Sequence, residues 1–160
     1  MKEITYGVIR TEIGDILAGA DGEGVRSVKF MDVLPEDTKN YGGGHNRHLA
    51  DCLDQLKEYF DGQRREFNLE LKPEGTDFQK AVWEELLKIP YGKMVPYGYI
   101  AREIGNPLAA RAVGRANSQN PIAVIIPCHR VIGASGDLTG YASGIERKRY
   151  LLKLEGGFSR

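Results

Sequence analysis

The sequence predicts an α/β (α+β) protein in two parts: a small strand-rich α/β domain over residues 1–75 and a mostly helical domain over residues 76–160. Three observations carry this. Short β-branched or alternating segments separated by turn residues occupy the first part, and helix-period patterns dominate the second. Proline and glycine at Pro73–Gly75 read as a linker between them. The charge also divides there: residues 1–75 hold ten Lys/Arg against fifteen Asp/Glu, and the rest hold twelve against seven, so −5 faces +5. Only the second part is equipped for a polyanion.

Element by element, "ITYGVIR", "DILAGAD" and "GVRSVKF" are short strands, and "TEIG" and "DGEG" between them are turn chemistry, which together make a three-stranded meander. After the loop "MDVLPEDTKNYGGG", Leu49, Leu53, Leu56 and Phe60 recur at helical spacing from Asn46 to Phe60, and Gly62 stops the run. "EFNLELK" alternates as a further strand. Thr76 and Gln79 then form a capping box ahead of Phe78, Val82, Leu86 and Ile89 on one helical face. "IPYG" ends that helix. A short helix from about Tyr97 to Ile104, the turn "GNP" and a second helix from about Leu108 to Ala116 make a helix-turn-helix pattern carrying Arg102, Arg111 and Arg115. Ala109, Ala110 and Ala112 permit close approach to a neighbouring helix or a nucleic acid backbone, and an ordinary helix pair in a core reads equally well from this stretch. The apolar run before Cys128 reads as a buried strand.

Two cysteines among 160 residues do not make a disulfide framework, and the N-terminus lacks the pattern of a secretory signal. No apolar run approaches the roughly 20 residues of a membrane span. A cytoplasmic protein with free thiols and no membrane association is expected. His45, His48 and Cys52 cluster loosely, but Leu49 and Leu56 place Cys52 beside an apolar face, so a core cysteine is expected and no metal site.

The sharpest signal is "IIPCHRVIG", where Cys128 stands against His129. "NPIAVIIPCHRVIG", with "PYGYIAREIGNPLAARAVGRA" before it and "GDLTGYASG" and "LEG" after it, resembles the O6-alkylguanine-DNA alkyltransferases. The resemblance is dense over residues 76–156 and weak before them, where a ribonuclease H-like domain is implied. Because relatives without transferase activity carry another residue at the cysteine position, Cys128 implies a working transferase. Independently of the family, moving an alkyl group from a guanine oxygen to protein calls for a soft nucleophile, and a thiolate is the best that a side chain offers.

The resemblance implies a relay in which Glu155 orients His129, and His129 reaches Cys128 through a water. It implies a guanine flipped out of duplex DNA, with the second helix in the minor groove, Ala110 close to the backbone and Arg111 filling the vacated space, while Arg102 and Arg115 add charge. Tyr97 would help rotate the nucleotide and donate to a ring nitrogen. Asn120 would brace the turn before Cys128. Tyr141 would wall the pocket, the Ala142 amide would face the guanine oxygen, the carbonyls of Cys128 and Val131 would take the exocyclic amine, and Lys148 would support the surface. Ser143 replaces a usual glycine and could narrow the rim. The implied partner is double-stranded DNA containing O6-alkylguanine, with O4-alkylthymine open as a second lesion; the implied agent is a cofactor-free, single-use monomer, with cooperative binding open. A cysteine hydrolase and a non-enzymatic helix-turn-helix regulator or lesion sensor remain as alternatives.

Overall fold

The structure, a computed structural model, describes residues 3–35, 46–138 and 140–157. The chain divides into two compact units: Met1–Glu74 with Pro121–Ala123, and Gly75–Asn120 with Val124–Arg160. Most of the loop expected after the meander, and His45 with it, lies outside the described residues.

Unit one is an antiparallel meander in the order β1-β2-β3, with β1 at Thr5–Thr11, β2 at Gly14–Ala20 and β3 at Val25–Met31. Its register pairs Val8 with Leu17 and Leu17 with Lys29. Alternate residues Ile9, Ile16, Ala18 and Val28 are buried with Leu49, Cys52, Leu56 and Tyr59 of helix α1, Arg47–Phe60. Gly7 makes that approach possible: a Cβ there would lie 2.6 Å from Leu53 Cδ1. Asn46 caps α1, its Oδ1 accepting from the Leu49 amide at 3.0 Å, and its Nδ2 donates to the Ala20 and Asp21 carbonyls.

The strand expected at "EFNLELK" reduces to a single bridge between Leu71 and Val25. Two backbone hydrogen bonds hold it, Val25 N–H to the Glu70 carbonyl and Lys72 N–H to the Val25 carbonyl. One residue further on, Arg26 takes over with its side chain, which donates to the Lys72 carbonyl at 3.0 Å and ends the ladder. The strand expected before Cys128 is likewise absent. Val28 N–H donates to the Pro121 carbonyl, Ala123 N–H donates to the Val28 carbonyl, and Ile122 pairs alone with Val28. Val124 then takes φ of 71°, a left-handed conformation that a β-branched residue enters only under strain, and extended pairing cannot continue through it.

Unit two begins with α2, Asp77–Leu86, whose expected capping box forms in both directions between Thr76 and Gln79. Helices α3, Tyr97–Glu103, and α4, Ala110–Ser118, make the helix-turn-helix. Helix α4 starts later than the sequence suggested because Pro107 and Leu108 are used in a turn closed by Ala109 N–H on the Asn106 carbonyl. Trp83 of α2 is buried and donates its indole N–H to the Ala116 carbonyl of α4 at 2.9 Å, which pins the second helix. Two short parallel strands, β4 at Val95–Pro96 and β5 at Val131–Ile132, pair Val95 with Val131. That pairing fixes the first residue of α3 close to the turn that carries Cys128. Helix α5, Ile145–Leu154, closes the unit against the same turn. Among the described residues, no helix is long and apolar enough to cross a membrane.

In unit one, Asp21 is a buried carboxylate that accepts from the Glu23 and Gly24 amides at 2.8 and 3.2 Å and from Arg26 Nε at 2.7 Å. Burial alone would raise its pKa, but these bonds hold it below the usual carboxylate value. Asp21→Ala should therefore cost about 1–3 kcal/mol, since it leaves the buried Gly24 amide and the part-buried Glu23 amide without their acceptor and takes away the partner of Arg26 Nε; urea denaturation at neutral pH measures this, and an unchanged midpoint contradicts it.

Candidate active site

Pro127 sits at φ −81°, ψ 63°, the inverse γ-turn conformation, and the Cys128 N–H closes that turn on the Ile126 carbonyl at 2.7 Å. A single 3-10 turn, Cys128–Arg130, follows directly. So tight a backbone sends three successive side chains in different directions, and all three are buried.

Asn120 Nδ2 donates to the Ile126 carbonyl at 2.8 Å, and its side chain also hydrogen-bonds Cys128. It thus braces the turn. Burial pushes the Cys128 thiol up to about 11, against the opposing effects of Asn120, the Lys148 charge and a backbone hydrogen bond. The resting nucleophile is consequently a thiol, and something must take its proton before it can attack.

His129 stands beside it, fully buried, with Nε2 2.8 Å from Glu155 Oε2. Burial would raise the Glu155 carboxyl, but hydrogen bonds and charge from His129 and Arg130 hold it far below the usual range, so it is ionised and can only accept. The imidazole proton therefore sits on Nε2. Burial, with the Arg130 and Lys148 charges, lowers the His129 pKa despite Glu155, which leaves the ring neutral near pH 7 and its Nδ1 basic. Among the described residues Nδ1 is buried with no hydrogen-bond partner. A neutral imidazole with a fixed tautomer and an open lone pair, one residue along the chain from a thiol, is equipped to act as a base.

The sequence reading missed Arg130. Its Nε and Nη2 donate to Glu155 Oε1 and Oε2 at 2.8 and 2.9 Å, its Nη1 donates to the Ile89 carbonyl at 2.6 Å, and its guanidinium lies 5.8 Å from the Tyr91 ring centre. This forked contact makes the Glu155 carboxylate rigid and balances its charge. The signal was present in "CHRV", since an arginine in a buried run calls for a buried acid. Asn117 was missed too: it is buried on α4 beside Val113 and Ala116, and its Nδ2 donates to the Cys128 carbonyl at 3.2 Å. A polar residue on the apolar stripe of a helix is the mark by which it could have been found.

Tyr97, the first residue of α3, runs its ring past Gly114 of α4 and sets its hydroxyl against Gly140, where a Cβ would come within 2.8 Å of the oxygen. Gly140 also has φ of 71°, so both conformation and space call for glycine. Tyr141 is buried and Ser143 half-buried, Ala142 is exposed, and Arg147 Nη1 donates to the Ser143 carbonyl at 3.3 Å. Lys148 is fully buried and donates to the Val131 carbonyl at 2.6 Å. That carbonyl, expected to meet an exocyclic amine, accepts one side-chain hydrogen bond, and the one on Cys128, expected to do the same, accepts two, from Asn117 Nδ2 and from the Val131 N–H. Ala110, Arg111, Arg115 and Arg102 are exposed on the two helices, and Leu108 in the turn is 96% exposed. His48 is half-buried and Cys52 fully buried, and burial pushes the Cys52 thiol up to about 12.

With the geometry in place, comparison with known proteins is decisive. Residues 77–157 match the family model described as 6-O-methylguanine DNA methyltransferase, DNA binding domain, and residues 4–73 match its ribonuclease-like domain. The chain belongs to the 6-O-methylguanine DNA methyltransferase family. It is 49% identical over 152 residues to a methylated-DNA--protein-cysteine methyltransferase of Methanosarcina acetivorans, covering 94% of this chain and 97% of that one. A Mycobacterium tuberculosis protein of the same name is 48% identical, covering 95% and 92%. The crystal structure of Mycobacterium tuberculosis O6-methylguanine methyltransferase matches with a TM-score of 0.84 at 46% identity, covering 99% of this chain and 96% of that one. A structure of the OGT of that organism in complex with DNA gives 0.83 at 46% identity, with 95% and 92% covered. The two-part fold expected from the sequence is that of these methyltransferases.

Acid should undo this site in two stages. The folded His129 pKa is lowered, so below its unfolded value of about 6.5 the unfolded chain gains a proton that the native site resists, and stability falls. Glu155 is also lowered, so its contribution is complete above about 4.3 and is lost as pH falls further. The denaturation midpoint of the wild type should drop between about pH 7.5 and 5.5, and His129→Gln should flatten that step; equal slopes would show that His129 does not stay neutral. Glu155→Gln should cost about 3–5 kcal/mol at neutral pH because Arg130 is left buried without its anion.

Proposed function

We propose that this protein repairs DNA by moving the alkyl group of O6-alkylguanine, irreversibly, onto Cys128. The observation that carries this reading is the buried thiol beside a neutral histidine whose Nε2 is committed to Glu155 and whose Nδ1 is open. In the reaction, the Cys128 proton passes through a water to His129 Nδ1, and Glu155 stabilises the imidazolium that forms. The thiolate attacks the alkyl carbon, a carbon–sulfur bond forms, and the carbon–oxygen bond breaks with its electron pair on the guanine. The Tyr97 hydroxyl donates to a ring nitrogen, so the base leaves neutral, and the proton from His129 restores the balance. A thioether has no easy leaving route, so each molecule acts once.

The DNA-facing surface supports the rest. Helix α4 enters the minor groove, where the small Ala110 and Ala112 allow close approach, while Arg102 and Arg115 approach phosphates. Arg111 is exposed on α4 and fills the space of the flipped nucleotide, a role suited to a planar cation. Asn120 and Lys148 hold the turn and the pocket, Tyr141 walls it, the Ala142 amide faces the guanine oxygen, and Ser143 narrows the rim against bulky adducts. The acting form is a monomer working in the cytoplasm, where both thiols stay reduced.

Mass spectrometry after incubation with a duplex containing O6-methylguanine should show a gain of one methyl group on Cys128 and no more; repair of several lesions per molecule contradicts single use. Cys128→Ser should bind the duplex as the wild type does and transfer nothing, because a hydroxyl is a far weaker nucleophile. Arg111→Ala should slow repair of duplex DNA by ten-fold or more and leave transfer from free O6-benzylguanine near normal, since extruding a base costs a few kcal/mol and a free base needs no extrusion. Equal losses on both substrates would move Arg111 out of the flipping step.

A further inference from the structure

One charged group beside the nucleophile takes no part in the proton path from Cys128 through His129 to Glu155. Lys148 lies within α5, fully buried, and lysines are among the residues least often found so. Its ammonium donates to the Val131 carbonyl at 2.6 Å, and the Val131 N–H donates to the Cys128 carbonyl, so ammonium and nucleophile share one hydrogen-bonded turn. Helix α5 packs on that turn. Taking an ammonium out of water costs several kcal/mol, which an anion close by offsets.

The neighbouring groups narrow the choice of anion. Glu155 is held by the Arg130 fork and by His129. Asn120 is neutral. His129 is neutral at rest and becomes a cation when it takes the thiol proton. Tyr141 is buried and its hydroxyl is held well above its usual pKa, first by burial and then by the Cys128 charge, so it stays protonated. Arg147 is a further cation on the same helix. The anion that the reaction creates here is the Cys128 thiolate, and the two groups interact electrostatically: the lysine charge favours the thiolate, and the thiolate favours the ammonium.

We propose that the buried Lys148 ammonium is the counter-ion of the Cys128 thiolate, so that the nucleophile forms as an ion pair and alkylation, by converting the sulfur to a neutral thioether, deprives Lys148 of that partner. This deepens the transfer reading and rests on it only for the source of the alkyl group. The balance closes: the thiol proton goes to His129, sulfur gains carbon and loses its charge, and Lys148 again faces a neutral sulfur, as it does beside the resting thiol. Lys148 acts through charge on the reacting sulfur and does not itself react.

The test uses the full chain in a Cys52→Ala background and small electrophiles in place of DNA. The rate of Cys128 alkylation by iodoacetamide is followed against pH for Lys148, Lys148→Arg and Lys148→Met. Lys148→Met should move the profile up by about one pH unit, a roughly ten-fold loss near pH 7, and Lys148→Arg should restore most of it. An unshifted profile in folded Lys148→Met overturns the proposal. If that variant does not fold, carbon-13 NMR of lysine labelled at Cε reads the same coupling with Lys148 intact, in Cys128→Asp, which puts an anion in the place of the sulfur, and in Cys128→Asn. The Lys148 titration midpoint should be higher in Cys128→Asp, and equal midpoints overturn the ion pair. A shifted profile together with no methyl uptake from alkylated DNA would uphold the ion pair and refute the transfer reading.

Discussion

The carboxylate of Glu155 is the constraint around which unit two is organised. It belongs to the C-cap residue of α5, and it is bonded to two consecutive residues of the 3-10 turn, His129 through one nitrogen and Arg130 through two. Arg130 in turn reaches the Ile89 carbonyl beyond α2. The buried ion pair thereby ties two separate stretches of chain, the end of α5 and the segment after α2, to the turn that carries Cys128. Such an arrangement adds little to net stability, since desolvating the charges offsets most of their attraction. What it supplies is geometry: a shallower or rotated turn would break three charge-assisted bonds at once. The tautomer of His129, and with it the position of its basic nitrogen, follows from the same carboxylate.

A second consequence concerns the state of the thiol. A nucleophile spent after one use is wasted by any stray electrophile, and burial guards against this by keeping Cys128 protonated and only 5% exposed. Reactivity then depends on a proton acceptor and a nearby positive charge acting together, rather than on a thiolate standing ready. The same desolvation that raises the thiol also lowers His129 and Lys148, the latter to about 8. One dry environment thus sets three proton affinities, and all three shift toward the neutral form.

Much of this was legible before any coordinates. The meander, α1 and the capped α2 follow from period, turn residues and one reciprocal cap, all of them local signals. Cys128, His129 and Glu155 stand out because "PCHRV" and a distant "LEG" occur in a known setting, although nothing in the spacing itself shows that His129 and Glu155 meet. The failures have physical causes. "IAVII" has the composition of a strand, but Val124 adopts a backbone that β-branched residues avoid, and only tertiary packing can impose that. "EFNLELK" alternates correctly, yet alternation cannot tell how many ladder bonds a neighbour offers. Arg130 escaped notice because its partner is 25 residues away and had already been assigned to the histidine.

Pro121–Ala123, lying between α4 and the Cys128 turn in sequence, belongs to unit one through its pairing with Val28. This interleaving bears on how the protein comes into being on the ribosome. The first 74 residues leave the exit tunnel as a sheet whose third strand has not yet received Pro121–Ala123, so unit one cannot be completed until α2, α3 and α4 have also been synthesised. The nucleophilic turn emerges next. A nascent chain therefore gains its finished sheet and its reactive cysteine almost together, and ribosomal stalling before Pro121 emerges would leave an open strand edge exposed to aggregation.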